Sequence, residues 1–290
     1  VWAKSFAGSS AQAWNSVLNS GHSVGFDNSG NVYVYGRFFG TVDFDPDPVD
    51  TYNLTQNEEG PGHDAYLVKL NSSGSLEWAR NFGDSNYPEC ANKFCPGPGA
   101  MAVDGSGNTY TVGTFNGPDT FDPASDPIGS YGDGFLVKHD ASGNFQWVKH
   151  YLNNYFDGRG VAVDDSGNVY ITGNSGGTTD FAPDASGGEI DFGYCGAHTF
   201  VVKLDSSGTF AWAKHFGPSA GGTQFHYCST PGQSHGQAVA VGDSGNVYVA
   251  GMFLGEIDFD PGTGAAELTS AILRDLYIAK LDSSGNLATT

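Results

Sequence analysis

Basic residues are scarce in this sequence, and their scarcity limits the partners that the protein can bind. The 290 residues include 12 Lys and Arg against 32 Asp and Glu, which gives a formal net charge of −20. A nucleic-acid backbone is bound by clustered basic side chains, so this composition argues against a nucleic-acid partner. An acidic surface instead favours cations, or simply keeps the protein soluble.

Long apolar runs are also absent. No stretch approaches the roughly 20 apolar residues that a membrane-spanning helix needs, so we expect no membrane insertion. The first residues, Val1-Trp2-Ala3-Lys4, have the pattern of a β-strand and not of a signal peptide, which predicts a mature or trimmed product.

Some common catalytic signatures are missing as well. The sequence contains neither a phosphate-binding loop of the G-x-x-x-x-G-K-[ST] type nor an H-E-x-x-H zinc motif. These absences favour a protein that is not an enzyme.

Glycine and aromatic residues dominate what is present. Glycine accounts for 43 residues and aromatic residues for 13% of the chain, whereas charged residues make up 15%. Globular proteins average about 7% glycine and about 25% charged residues. The composition therefore predicts many short strands joined by tight turns.

A ten-residue phrase is repeated four times and indicates the architecture. The copies are residues 27–36, 104–113, 164–173 and 242–251, and the third is DDSGNVYITG. Asp or Asn, Ser and Gly form a tight turn, and the β-branched and aromatic run that follows predicts a strand. The turn glycines are 77, 60 and 78 residues apart, which is the period of a repeat architecture.

Each repeat contains four strand signals, which we name a to d. In the third repeat these are residues 161–163, 168–172, 198–204 and 209–216. Strand a has a small residue at one position in every repeat, and strand d carries a tryptophan in the first three repeats. Small residues suit strands that crowd around an axis, and each tryptophan is expected to pack between neighbouring sheets.

The fourth repeat lacks its strand d, because Thr289 stands where the tryptophan is due. The missing strand matches the start of the chain, where Trp2-Ala3-Lys4-Ser5-Phe6 corresponds to residues 212–216. An N-terminal strand that completes the last sheet closes a propeller and removes its exposed edges. We therefore predict an all-β fold: a β-propeller with four blades of four antiparallel strands, closed by the strand that contains Trp2 and Phe6. Exchange of this strand between neighbouring molecules is the alternative.

The repeated motifs resemble a known family. The phrase D-x-S-G-N-V-Y, the segment G-x-V-D-F-D-P and the pair V-K-L-D-S-S-G and W-A-K-x-F-G are similar to the bacterial β-propeller repeat known as SBBP. The resemblance covers nearly the whole chain outside the insertions. It implies a secreted or cell-surface bacterial or archaeal protein, often part of a larger architecture, and no single activity.

We accordingly expect one propeller domain over residues 1–290. Its repeat units are approximately residues 8–83, 84–152, 153–217, and 218–290 together with 1–7.

The long insertions all fall in the b–c and d–a connections, which share one face of a propeller. They span roughly residues 38–63, 84–99, 176–197 and 218–236. Insertions on one face of a repeat scaffold commonly mark a binding face, although neutral loop drift produces the same pattern. We call this face the long-loop face.

The long-loop face gathers histidines and tyrosines that are candidates for binding. The candidate residues are His63, Tyr194, His226, Tyr227 and His235. Scattered His and Tyr of this kind are typical of a face that binds a glycan or a protein. The alternative is a polysaccharide lyase or hydrolase that uses His and Tyr as base and acid.

An acidic phrase follows strand b in the first and fourth repeats. It contributes two carboxylates, spaced i and i+2, in each: Asp43 and Asp45, then Asp258 and Asp260. Carboxylates and backbone carbonyls are the hard oxygen ligands that Ca²⁺ takes, so the phrase predicts a calcium site. The alternative is structural, with the Asp side chains fixing a turn before proline and the Phe between them anchoring the loop.

Four cysteines in predicted loops favour disulfides and an oxidising compartment. Three pairings are possible, and we expect Cys90 with Cys95 and Cys195 with Cys228, as staples of neighbouring loops. A zinc site that combines cysteines with His198, His226 or His235 is the alternative, but no C-x-x-C spacing supports it.

These patterns together predict an extracellular, non-enzymatic propeller that serves as a structural, adhesion or self-assembling surface protein. Its expected partner is either a second copy of itself, in a homo-oligomer or filament, or a surface glycan or protein.

Overall fold

The computed structural model describes residues 1–8, 19–56, 64–82, 98–115, 121, 128–130, 132–153, 155–193, 197–218 and 232–288. Every regular element in these ranges is a β-strand. No helix in them could cross a membrane. The chain divides into two compact units, residues 1–148 and residues 149–290.

The first unit is built on two four-stranded antiparallel sheets. Its strands are β1 (Ala7–Gly8), β2 (Ser20–Phe26), β3 (Val32–Phe38), β4 (Thr41–Asp43), β5 (Asn53–Thr55), β6 (Asp64–Leu70), β7 (Leu76–Phe82), β8 (Pro98–Val103), β9 (Thr109–Thr114), β10 (Gly134–His139) and β11 (Phe145–Tyr151). The first sheet has the order β2-β3-β6-β7 and the second β8-β9-β10-β11, and a small sheet β1-β4-β5 accompanies the first.

The second unit repeats this plan with one four-stranded and one three-stranded sheet. Its strands are β12 (Asp157–Val163), β13 (Val169–Ser175), β14 (Thr178–Asp180), β15 (Glu189–Asp191), β16 (His198–Leu204), β17 (Phe210–Phe216), β18 (Gln233–Val241), β19 (Val247–Leu254), β20 (Glu256–Asp258), β21 (Glu267–Thr269) and β22 (Asp275–Leu281). The third sheet has the order β12-β13-β16-β17, and the fourth, within the described ranges, has β18-β19-β22.

The repeated phrase forms the a–b turn of each sheet, as predicted. In the third sheet, Asp164 Oδ1 accepts the N–H groups of Ser166 and Asn168, both at 2.9 Å, and Gly167 has a positive φ of 79°. Asp164 Oδ2 accepts Asn168 Nδ2 at 2.8 Å and the Tyr170 hydroxyl at 3.0 Å. Burial acts to raise the pKa of Asp164, but these hydrogen bonds outweigh it and hold the pKa below its usual value.

The glycine that ends the phrase allows two backbones to approach closely in three of the sheets, at Gly36, Gly173 and Gly251. A Cβ atom on Gly173 would clash with the carbonyl oxygen of Asp157, and Gly251 stands in the same relation to His235. The register of strand a shifts beside these contacts, between Gly158 and Gly160 in the third sheet. Because the same shift occurs in all four sheets, the β-bulge is part of the repeat.

Tryptophans of strand d pack against the following sheet, which confirms the prediction for two of them. In the first unit, Trp78 Nε1 donates to Ala141 O at 3.1 Å and the indole lies over Gly143. In the second unit, Trp212 Nε1 donates to Ser283 O at 3.1 Å and lies over Gly285.

Residues 1–8 occupy the corresponding place on the first sheet. Trp2 Nε1 donates to Ser72 O at 3.2 Å, and the indole lies over Gly74. Ala7 pairs with Asp43 of β4, as Gly217 pairs with Asp258 of β20 in the second unit. The indole of Trp2 therefore packs on the first sheet as the indoles of Trp78 and Trp212 pack on theirs. Residues 1–6 carry no strand assignment, and closure of a ring by them stays a prediction.

Candidate functional site

Of the connections that the sequence predicts to share the long-loop face, the structure describes the b–c connections best. Three of them fold into short β-hairpins: β4 with β5, β14 with β15, and β20 with β21. Sequence analysis predicted loops here. In the first hairpin, Thr-Val-Asp pairs with Asn-Leu-Thr, and one central apolar residue per strand faces the sheet below.

A buried phenylalanine anchors each of these connections. Phe44 packs against Phe38, Tyr66 and Phe6, with ring centroids 5.5, 4.8 and 5.3 Å away. The equivalent residues, all buried, are Phe121, Phe181 and Phe259. The hairpins are thus fixed to the core at their bases, and the predicted anchoring role of this phenylalanine is confirmed.

The first carboxylate of the acidic phrase closes the hairpin. Asp43 Oδ1 accepts the N–H of Asp45 at 3.0 Å and that of Tyr52 at 2.8 Å. Asp258 makes the same pair of bonds, to Asp260 at 2.9 Å and to Ala266 at 2.8 Å. One carboxylate oxygen therefore joins the two strands of each hairpin.

The second carboxylate fixes the following turn. Asp45 Oδ1 accepts the N–H of Asp47 at 2.9 Å, and Asp260 Oδ1 accepts that of Gly262 at 2.8 Å. Turn formation, the structural alternative, is thus present at all four carboxylates. No group of three or more His, Cys, Asp or Glu side chains is placed to hold a metal ion within the described ranges. Calcium binding by Asp43, Asp45, Asp258 and Asp260 stays a prediction.

Most of the other predicted site residues lie outside the described part of the chain. These are the candidate binding residues His63, Tyr194, His226 and Tyr227 and the four cysteines Cys90, Cys95, Cys195 and Cys228. The expected disulfides accordingly stay predictions.

His235 is the one candidate binding residue that the structure describes. It lies on β18, opposite Met252 of β19. Burial lowers its pKa, and the cationic Arg274 and Arg159 lower it further, whereas Asp157 opposes them. The imidazole is therefore neutral at neutral pH, the state in which it can accept a proton.

The neighbourhood of His235 is polar. Strand a of the third sheet (β12) and strand a of the fourth sheet (β18) lie side by side, and each contains a bulge. Arg159, the bulged residue of β12, pairs with Asp157 at 2.7 Å and donates to Gln237 Oε1 at 3.1 Å. Gln237 is the bulged residue of β18. The bulges therefore bring together a guanidinium and an amide that sequence analysis did not single out.

The pattern G-x-S-x-G occurs at residues 21–25, 173–177, 217–221 and 232–236, of which residues 219–221 lie outside the described ranges. Ser23 and Ser234 lie within strands β2 and β18 and not in turns. Ser175 ends β13 and is buried, and its hydroxyl bonds to Thr179 at 2.7 Å. A nucleophile elbow requires a strand–turn–helix with an exposed serine, but β14 follows here. Ser175 is therefore a structural residue.

A cavity of about 270 Å³ lies beside the β14–β15 hairpin in the second unit. Residues 181–185 form one wall, and Lys149 forms a 2.7 Å ion pair with Asp184 at its rim. Because Asp184 is largely exposed, this pair is weak.

Comparison with known proteins supports the repeat assignment. A protein-family model described as a beta-propeller repeat, SBBP, matches residues 151–182, which contain the phrase of the third repeat. No curated protein matches the chain. Among solved structures, the chain is similar to a protein of unknown function from Bacteroides caccae, with 10% identity, coverage of 93% of this chain and 80% of that one, and a TM-score of 0.36. The part of the chain that the structure describes is all-β, and residues 151–182 match a β-propeller repeat.

Proposed function

We propose that this chain is an extracellular, non-enzymatic propeller protein that serves as a structural and adhesive element of a cell surface. Recognition takes place on the long-loop face, and the partner is a surface glycan or another protein. The observation that carries the proposal is the repeated hairpin, which projects from three of the sheets and is fixed in each by a buried phenylalanine and by Asp-to-backbone hydrogen bonds.

Fixed hairpins suit recognition because little ordering is required when a partner binds. In the first hairpin, the Oδ2 atoms of Asp45 and Asp47 accept no hydrogen bond from the described residues. They are available to sugar hydroxyls or to a bridging Ca²⁺ ion. The acidic composition favours a neutral or cationic partner surface, or an anionic one that binds through calcium.

Binding of purified surface polysaccharides, with and without Ca²⁺, tests this proposal. The D45A/D47A variant changes the first hairpin, and D165A, in the exposed a–b turn of the third sheet, is the matched control for loss of a carboxylate. We expect wild type and D165A to bind and D45A/D47A to bind at least several-fold more weakly. An equal loss in the two variants, or no binding to any surface glycan or surface protein, would contradict the proposal.

The alternative is a polysaccharide-active enzyme, and the feature in its favour is His235 near the Arg159–Asp157 ion pair, where burial lowers the pKa of the imidazole. Incubation with the same polysaccharides, followed by assays for new reducing ends and unsaturated sugars, decides between the two. We expect no products. Turnover by wild type that H235N abolishes would establish the enzyme instead.

Two further parts of the proposal have direct tests. Antibody labelling of intact cells is expected to detect the protein at the surface. Mass spectrometry of the unreduced protein is expected to find the pairs Cys90–Cys95 and Cys195–Cys228.

A further inference from the structure

The first unit contains a complete junction between two successive sheets. Trp78 of β7 lies over the c–d turn of the second sheet and contacts Tyr33 edge-on, with centroids 6.1 Å apart. Lys69 Nζ of β6 donates to the same turn, at Ala141 O, at 3.3 Å. Leu67 of β6 is completely buried, and Met101 of β8 is 6% exposed. Strands b and c of one sheet thus pack against strand a of the next.

The second unit contains a junction of the same kind. Trp212 contacts Tyr170 edge-on, with centroids 6.4 Å apart, and lies over the c–d turn of the fourth sheet. Val201, which corresponds to Leu67, is completely buried, and Val239 of β18 packs into the shared core. The two junctions show which positions of a repeat require a neighbouring sheet.

The first sheet has a face at which this junction is only partly formed. Val24 and Phe26 of β2 correspond to Met101 and Val103 of β8, yet they are 69% and 75% exposed. Residues 1–8 supply the strand d part of the junction, with Trp2 over Gly74 and Phe6 against Phe44. We call Val24, Phe26 and residues 1–6 the receiving face.

The fourth sheet has the complementary face. Ile278 of β22 corresponds to Leu67 and Val201 but is 79% exposed, and the adjacent Leu276 is 84% exposed. Tyr248 of β19, which corresponds to the fully buried Tyr33 and Tyr170, is 39% exposed. We call Tyr248, Leu276 and Ile278 the donating face.

We propose that the donating face of one molecule packs against the receiving face of a second copy of this chain. The partner's Trp2 then lies edge-on to Tyr248, and its segment 2–6 adds to the outer strand β22 as strand d. Lys280 Nζ lies 5.9 Å from the centre of the Tyr248 ring, just as Lys69 Nζ lies 5.5 Å from the centre of the Tyr33 ring. In the proposed contact, Lys280 donates to the carbonyl oxygen of the partner's Ser72. The contact is head-to-tail and yields a closed ring of copies or a filament.

The argument for a second copy is continuity with the junctions inside each unit. Both faces are halves of the contact that the chain makes at Trp78 and again at Trp212, so each provides the shape and the hydrogen-bond partners that the other requires. Exposed apolar residues along an outer strand are also a template for pairing with another chain. This inference rests on the proposed structural role and names the partner for it.

Light scattering of the purified full chain across a range of concentrations tests the pairing. We expect species larger than the 30.4 kDa chain, and growth of these species as salt screens the repulsion between copies that each carry a charge of −20. V24E changes only the receiving face and I278E only the donating face, and each variant is expected to remain a monomer. I272E, at an apolar residue that is 89% exposed outside both faces, is the matched control and is expected to assemble like wild type.

A mixture of V24E and I278E gives the decisive result. I278E retains a receiving face and V24E a donating face, so an equimolar mixture is expected to form a complex of two chains and nothing larger. A monomeric wild type at all concentrations, as expected if one chain closes its own ring, would overturn the inference, as would failure of the two variants to combine. Unchanged melting of the variants verifies that they are folded.

Failure of this inference is distinguishable from failure of the proposed function. A monomer that still binds a surface glycan contradicts only the pairing of copies. An assembled protein that degrades a polysaccharide contradicts only the non-enzymatic function.

Discussion

His139 provides a quantitative test of the packing between the first two sheets. It ends β10 at a position where the other three sheets have the buried leucines Leu70, Leu204 and Leu281. The imidazole is 1% exposed, its ring centroid lies 4.6 Å from that of Phe82, and neither ring nitrogen bonds to any residue that the structure describes. A protonated imidazole therefore has little to stabilise it there.

Burial lowers the pKa of His139 from 6.5 to about 4, with Arg80 adding to the effect and Asp140 opposing it. The unfolded chain takes up this proton below about pH 6.5, whereas the folded chain takes it up only near pH 4. The stability that depends on a neutral His139 is therefore fully present above pH 6.5 and is lost as the pH falls towards 4. The complete loss is about 3 kcal/mol, of which about 2 kcal/mol is expected by pH 5.

The H139L variant isolates this effect. Leucine restores the residue of the other three sheets and leaves no ring nitrogen without a partner, so we expect the free energy of unfolding to rise by about 1 kcal/mol at pH 7. The advantage over wild type should grow by about 2 kcal/mol at pH 5 because only wild type is penalised there. Urea unfolding of both proteins at pH 7, 6 and 5 measures the difference.

Comparison with wild type removes the contributions of the other titrating groups. His22, His215 and His235 also have lowered pKa values, but both proteins contain them. Carboxylates with lowered pKa values, such as Asp140 and Asp164, lose their stabilising effect only below about pH 4. A difference between H139L and wild type that stays constant from pH 7 to pH 5 would refute this reasoning.

Three further predictions concern the repeat itself. G173A forces a methyl group against the Asp157 carbonyl and is expected to lower the free energy of unfolding, measured in urea, by about 2 kcal/mol. G242A is the control, because the nearest atom to the new methyl group is 3.6 Å away, and it is expected to change stability little. Equal effects of the two substitutions would contradict the bulge geometry. D164A removes the acceptor for Ser166, Asn168 and Tyr170 and is expected to lower stability by about 2 kcal/mol, measured in the same way; D165A, whose carboxylate is exposed, is the control, and no difference between the two would count against the turn. If the acidic hairpins bind calcium, Ca²⁺ raises the melting temperature of wild type but not of D43N/D258N; if chelator and Ca²⁺ leave wild type unchanged, these carboxylates act only in the turns.

The turns and main strands were predictable because their determinants are local. The phrase around Asp164 and Gly167 specifies its own turn through hydrogen bonds within six residues, and the strand after it follows from β-branched and aromatic residues. The correspondence of Trp2 with Trp212 was also recoverable from the shared pattern W-A-K-x-F, and the two indoles lie over equivalent turns, at Gly74 and Gly285. Alignment of the repeats would have found His139 as well, since V-K-H replaces V-K-L there.

The hairpins and the bulges were missed because their determinants are not local. Strands of three residues, such as β4 and β5, are too short for periodicity to identify, and they exist because Phe44 and Val42 pack into the core beneath them. The bulge at Arg159 depends on the approach of Gly173 from the neighbouring strand. The sequence of the acidic phrase was compatible with both a calcium site and a turn, because the hydrogen bonds that form the turn are not all local. Asp43 Oδ1 accepts the N–H of Tyr52, which is nine residues away.

The two end faces show a further limit of sequence pattern. Leu67, Val201 and Ile278 hold the same position in strand c and are interchangeable by chemistry, yet the first two are completely buried and the third is 79% exposed. A repeat sequence specifies that this position needs an apolar neighbour, but it does not specify which molecule supplies it. The exposure of Ile278, together with that of Val24, is therefore information that only the structure adds. The sequence predicts self-closure, with strand exchange as the alternative, and the V24E and I278E mixture tests between them.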